Sequence, residues 1–238
     1  MGGGRVLSLA ALLPVFFVPA AADGNSSTSV EFLGFSSDAR FAAWEEYGIQ
    51  DGSGFPVCII TILGLSDCGV AARFETVTED GCGDLEEARE LCLAGASALL
   101  DSLSEDWLPG RLCVLHLPTD LSAPRDSARF HSWNPAPGYY EGDRTVILTA
   151  EPVHGTELED YWLLVPELLT VSVVDNATGV TRVVRRDDGT DPGLDGMFGY
   201  GIEGVWALGD SAFAVSIQAL RLGFEGPDLG YLYAGWRD

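Results

Sequence analysis

The chain has 238 residues, 47% of them hydrophobic, and sets 36 acidic side chains against 13 basic ones, a formal net charge of −23. A field of that sign repels nucleic acid and anionic membrane surfaces, both of which are bound through basic patches, so neither is an expected partner. All 13 basic residues are arginine, a bias that fits GC-rich coding or an acidic, salt-adapted surface and names no function.

Arg5 and the free amine form a positive n-region, Val6–Val18 an apolar h-region, and Ala20-Ala21-Ala22 fits the small-residue cleavage rule. The pattern predicts a cleavable export signal over residues 1–22. As a membrane anchor the run is interrupted by Pro14 and falls short of the roughly 20 residues that span a bilayer. No comparable apolar run follows, so no stable membrane insertion is expected after cleavage, and the location is periplasmic or secreted. Residues 23–29 read as a flexible polar leader and 30–238 as one β-rich domain.

Phe41, Ala43 and Tyr47 alternate with Ala42, Trp44 and Glu46, the period of a strand. Gly52-Ser53-Gly54 reads as a turn, and Pro56, lacking an N–H, suits the start of the next strand. Val57–Leu63 (VCIITIL) is a continuous apolar, β-branched run and predicts a strand buried on both faces. Val70–Thr78 follows as a weaker strand. One helix is expected near 84–105, capped by Asp84 with Glu87 three residues on. Leu85, Ala88, Leu91, Cys92, Gly95, Leu99 and Leu103 share its apolar face, and Pro109 and Gly110 lie beyond its end. Leu112–Leu117, Thr145–Ala150 and Tyr161–Val165 read as strands, and Leu168–Val174 with Val180–Arg186 as a hairpin around Asp175–Gly179. Arg125–Gly142 and Asp187–Gly196 read as loops. The fold class is therefore α+β, predominantly antiparallel, with about nine strands and one packed helix.

Two stretches echo one another. Gly34, Phe35, Asp38, Phe41 and Ala42 precede Gly54-Phe55-Pro56, and Gly204, Val205, Asp210, Phe213 and Ala214 precede Gly223–Pro227. An apolar strand follows each proline, so 32–63 and 202–236 read as a blade-like hairpin repeat. Phe32–Phe35 with Ser36 and Asp38, then Phe41, Glu45–Gly48 and Gln50–Pro56, closely resemble the start of a bacterial family of predicted secreted proteins, a domain of unknown function. Gly223–Asp228 resembles that family's closing motif. The resemblance implies export and a single domain, and no activity. The shorter segment SSDARF resembles the strand-opening turn of TolB-type propeller blades.

Chemistry-bearing residues are sparse. Glu45 and Glu46 point to opposite faces of a strand and cannot serve one cleft as an acid–base pair. Contact with a ligand or partner is expected at Glu46, Tyr47, Gln50, Asp51, Ser53 and Phe55, where a loop is set on rigid strands. Asp187, Asp188, Asp191 and Asp195 offer oxygen donors for calcium, but Gly189 breaks the EF-hand spacing, and an acidic turn is the simpler reading. Cys58, Cys68, Cys82, Cys92 and Cys113 would meet an oxidising compartment, where one or two disulfides are expected. Their wide spacing does not suit zinc. His116, His131 and His154 lack ligand spacing, and Arg182, Arg185 and Arg186 read as an internal counter to the acidic surface. No nucleophile elbow, phosphate loop or HExxH motif occurs.

These features predict a non-catalytic periplasmic binding or protein-interaction module, without a cofactor, that takes a protein partner or a small ligand. The alternatives are an envelope carbohydrate or peptide hydrolase using carboxylates, and a structural envelope protein.

Overall fold

The computed structural model describes residues 25–50, 53–78, 84–117, 124–134, 139–156, 159, 164–189, 197–222 and 227–238. The expected signal and most of Tyr161–Val165 lie outside them. In chain order the elements are β1 (Asn25–Ser36), β2 (Phe41–Gln50), β3 (Pro56–Gly64), β4 (Val70–Val77), α1 (Leu85–Leu103), β5 (Trp107–Leu108) and β6 (Arg111–Leu115). There follow β7 (Ser127–Asn134), β8 (Tyr139–Pro152), β9 (Glu167–Asp175), β10 (Thr181–Arg186), β11 (Phe198–Leu208), β12 (Ala212–Leu222) and β13 (Pro227–Arg237). The strands form three antiparallel sheets, ordered β4-β3-β2-β1-β5, β13-β12-β11-β6 and β10-β9-β8-β7.

These elements stack in four layers. On one face of the first sheet, Ala43, Cys58, Ile60 and Ile62 pack against Ala88, Cys92 and Ala96 of α1. On its other face, Phe35, Ala42, Trp44 and Leu63 meet Ala212, Ala214 and Tyr233 of the β13-β12-β11-β6 sheet. That middle sheet turns Phe213, Val215, Ile217 and Trp236 towards Phe130, Val146, Leu169 and Val171 of the third. Two sheets thus lie between other layers, and their central strands have little contact with solvent. Every residue of β3 is buried, as its unbroken apolar run predicts.

The echo in the sequence corresponds to two three-stranded meanders, β1-β2-β3 and β11-β12-β13. Each carries a bulge at matching places, between Phe32 and Gly34 and between Ile202 and Gly204. Gly34 has φ +140°, and a Cβ there would come 2.8 Å from Leu108 O, so the glycine admits β5 to the sheet. Gly110, at φ +60°, takes the chain from β5 in the first sheet to β6 in the middle one. The two meanders belong to sheets that pack face to face.

Several expectations change. There are thirteen strands among the described residues rather than about nine. The chain is paired from Asn25 onwards, opposite Gln50, so the leader is part of β1 from that point. The proline-rich stretch expected to be a loop contains β7, whose Ala128, Phe130 and Ser132 alternate inwards and are buried. Its prolines all lie outside the strand. The helix forms as expected, with Asp84 accepting from Glu86 N at 3.2 Å. It buries a narrower seam, Ala88, Cys92 and Ala96, and leaves Leu91 52% exposed. Small side chains at that spacing let the helix axis approach the sheet, which rotates Leu91 out of contact.

Arg89 ties the helix to the sheet. Its Nε and Nη2 donate to the two oxygens of Glu45 at 2.9 and 2.7 Å, and Nη2 also reaches Glu31 at 3.1 Å. Its guanidinium lies 4.0 Å from the centre of the Tyr47 ring. Glu45 is only 1% exposed and stands opposite Glu31 across the ladder, so Arg89 answers both a buried charge and a like-charge pair. Truncating Arg89 to Ala should cost about 3 kcal/mol of unfolding free energy, measured by urea denaturation. Changing Glu45 and Arg89 together to Met should recover most of that loss.

Candidate functional site

A cleft of about 620 Å³ opens between the first sheet, the edge of the middle sheet at β13, and β10 of the third. Its walls follow from strand register. Glu46 stands opposite Ile59, and Ile59 opposite Glu75; Trp44 stands opposite Thr61, and Thr61 opposite Arg73. Glu46, Ile59, Glu75, Thr61 and Arg73 therefore share one face. Val57, Leu63, Leu232 and Met197 add apolar surface, Tyr231 and Tyr233 come from β13, and Arg221 comes from β12. Arg185, Arg186, Asp187 and Asp188 close the far side.

Glu46 is the most perturbed acid in the cleft. It is 8% exposed, and Tyr233 OH donates to its Oε2 at 3.3 Å. Burial raises its carboxyl to about 7, against the pull of Arg73, the Tyr233 hydrogen bond and Arg221. Burial likewise pushes the Tyr231 and Tyr233 hydroxyls well above their usual range, and the neighbouring Glu203 upwards. Glu203 accepts from Ser216 Oγ at 2.9 Å. The Tyr233 ring is stacked on Trp44 with centroids 4.5 Å apart, which fixes the hydroxyl towards Glu46.

The other charges are mostly engaged. Arg73 reaches Glu75 at 3.6 Å. Arg185 donates to Asp187 Oδ1 at 3.0 Å and to Tyr233 O at 2.9 Å. Arg182 donates to Arg237 O at 3.3 Å, so the β10 arginines cap backbone carbonyls on the open edge of β13. Gly235 N donates to Cys68 Sγ at 3.3 Å on the same edge. Among the described residues, Arg221 Nε and Asp187 Oδ2 are buried without a hydrogen-bond partner.

The residues expected to make contacts divide. Glu46 and Gln50 line the cleft. Tyr47 faces the helix beneath Arg89. Ser53 Oγ donates to Gln50 Oε1 at 3.0 Å, and Gln50 N donates to Phe55 O at 2.9 Å, so Ser53 and Phe55 build the turn. Asp51 lies outside the described residues. Of the calcium candidates, Asp187 is tied to Arg185 with its side chain 3% exposed, and Asp188 also borders the cleft. Asp191 and Asp195 lie outside the described residues.

Cys58, Cys68, Cys92 and Cys113 are free thiols, so no disulfide joins them, and Cys82 lies outside the described residues. Cys58 and Cys92 are buried side by side between β3 and α1. Cys92 Sγ donates to Cys58 O at 3.4 Å and Cys58 Sγ to Glu45 at 3.4 Å; those bonds hold the thiols in place as small core residues. The histidines are apart from the cleft: His116 Nδ1 contacts Ile202 O and His154 Nδ1 contacts Glu159, each at 3.1 Å. Sequence reasoning did not single out Arg73, Glu75, Arg221, Tyr231 or Tyr233. The signal present was the alternation of Arg73 and Glu75 about Phe74 in β4 and of Tyr231 and Tyr233 about Leu232 in β13.

Glu46 makes stability depend on pH. Between pH 4.5 and about 7 the folded chain holds a proton there that the unfolded chain has released, so stability falls as pH rises through that window. The full effect, reached above pH 7, is about 3 kcal/mol. Glu46→Gln should flatten the melting temperature across this range and melt higher than the wild type at pH 8. An unchanged slope would show that Glu46 ionises freely.

Among the described residues no helix is long and apolar enough to cross a membrane. No curated protein matches the chain significantly. Residues 43–237 match the family described as predicted secreted proteins (DUF2259). The chain belongs to that family, a membership consistent with a periplasmic or secreted location.

Proposed function

We propose that the chain is a non-catalytic binding module whose small ligand sits in the cleft between β3, β4, β10 and β13. The carrying observation is one concave site with an apolar floor, a few convergent polar groups and buried polar atoms that lack partners. Its volume of about 620 Å³ is within the range that holds a small organic molecule. The walls are strands in fixed register, so the site is formed before a ligand arrives.

A second reading has its own support. Glu46 and Glu75 flank Ile59 on one face, so their backbones lie about 10 Å apart, two strand spacings. One carboxyl held near neutrality beside another fits a carboxylate hydrolase acting on envelope carbohydrate. Against it, Glu75 is engaged by Arg73.

A Cβ at Gly230 would meet nothing nearer than Met197 Cε at 4.0 Å, so Gly230→Phe puts a ring into the cleft without a backbone clash. Saturation-transfer NMR with a small-molecule fragment mixture should give hits for the wild type that this variant loses. Hits that persist in the variant, or none with either protein, would overturn the binding reading. Release of nitrophenol from aryl glycosides, abolished by Glu46→Gln, would establish the hydrolase instead.

A further inference from the structure

We propose that the ligand of this cleft is a small amino carboxylate, a molecule with a carboxylate at one end, an ammonium at the other and an apolar body between. The inference rests on reading the cleft as a binding site and names the chemistry of its occupant.

Two side chains that line the same cavity each carry an orphaned polar atom, of opposite character. Arg221 Nε is a buried donor and Asp187 Oδ2 a buried acceptor, and neither has a partner among the described residues. A buried polar group left unpaired costs about 1–3 kcal/mol, so each is a place where a ligand gains affinity by restoring a bond. The donor belongs to a guanidinium, which matches a carboxylate. The acceptor belongs to a carboxylate whose other oxygen is occupied by Arg185, leaving one oxygen for an N–H donor.

Of the remaining charges, Asp228 stands opposite Arg221 across the β12–β13 ladder. Neither Arg73 nor Arg221 closes an ion pair with Glu46, and both act on it only through space. Glu46 is held largely neutral by burial near pH 6 and leaves Arg221 available. Glu75 is taken by Arg73, and Asp67 accepts from Gly69 N at 3.0 Å. Val57, Ile59 and Leu232 lie along the floor and suit a methylene chain. Net charge points the same way: a protein at −23 repels a simple anion at long range, whereas a zwitterion approaches without that barrier.

Calorimetry at pH 6 with the α,ω-amino acids from 4-aminobutanoate to 8-aminooctanoate tests the proposal, with hexanoate and hexylamine as single-ended controls. One member of the series should bind at least about tenfold tighter than either control. Arg221→Gln should remove its advantage over hexylamine. Asp187→Asn should remove its advantage over hexanoate, and Arg221→Gln carries the test alone should loss of the Arg185 contact unfold the Asp187 variant. Trialanine, with both termini free, distinguishes the source: tighter binding than the series indicates a short peptide, weaker binding a free amino carboxylate. Equal binding of the series and a control, or no binding by any probe, overturns the amino-carboxylate assignment. The fragment screen against Gly230→Phe decides separately whether the cleft binds at all.

Discussion

A strand buried on both faces gives no solvent to either of two consecutive glutamates. Glu45 and Glu46 occupy that position in β2, because α1 covers one face of the sheet and the middle sheet covers the other. The pleat forces their side chains apart, and burying a bare carboxylate is too costly to leave unanswered. On the helix side the answer is a cation: Arg89 grips Glu45 through two nitrogens and brings α1 with it. On the cleft side it is a proton, since no arginine closes on Glu46 and burial holds the carboxyl near neutrality. The attachment of the helix and the chemistry of the cleft are therefore two solutions to one constraint.

The same arrangement explains why the cleft forms beside β13. Trp44 and Tyr233 stack where the two sheets are in close contact, while Tyr231 and Arg221 lie further along, where the sheets admit the cavity. The edge of the middle sheet needs cover there, and β10 supplies it through Arg182 and Arg185. Of the two, Arg185 also lines the far wall of the cleft. Protection of a sheet edge and enclosure of the cleft thus meet in one side chain, Arg185.

Much of the fold was legible because it depends on local pattern. The unbroken run Val57–Leu63 announced a doubly buried strand and Asp84 announced the helix start, while the echo, read as a blade-like hairpin repeat, falls on two meanders of different sheets. β7 was missed because three nearby prolines outweighed the alternation of Ala128, Phe130 and Ser132. The site was legible only at Glu46 and Gln50. The residues that complete it come from β4, β12 and β13, far from β2 in sequence, and only register and sheet stacking bring them together. The free cysteines make a related point: an oxidising destination argues for disulfides, but spacing alone cannot show whether two thiols meet in bonding geometry.

The meander β11-β12-β13 has a consequence for how a secreted chain of this kind acquires its form. β1 and β3, both complete by Gly64, contact β13, which begins at Pro227. A chain made from its N-terminus presents Trp44 and Leu63 long before Ala214 and Tyr233 follow. Throughout that interval the inner face of the first sheet lacks its cover, and assembly waits on contacts between distant segments, which form slowly. Closure of the inner core thereby waits on the final strand, and shielding of the early hydrophobic face is a requirement of the topology itself.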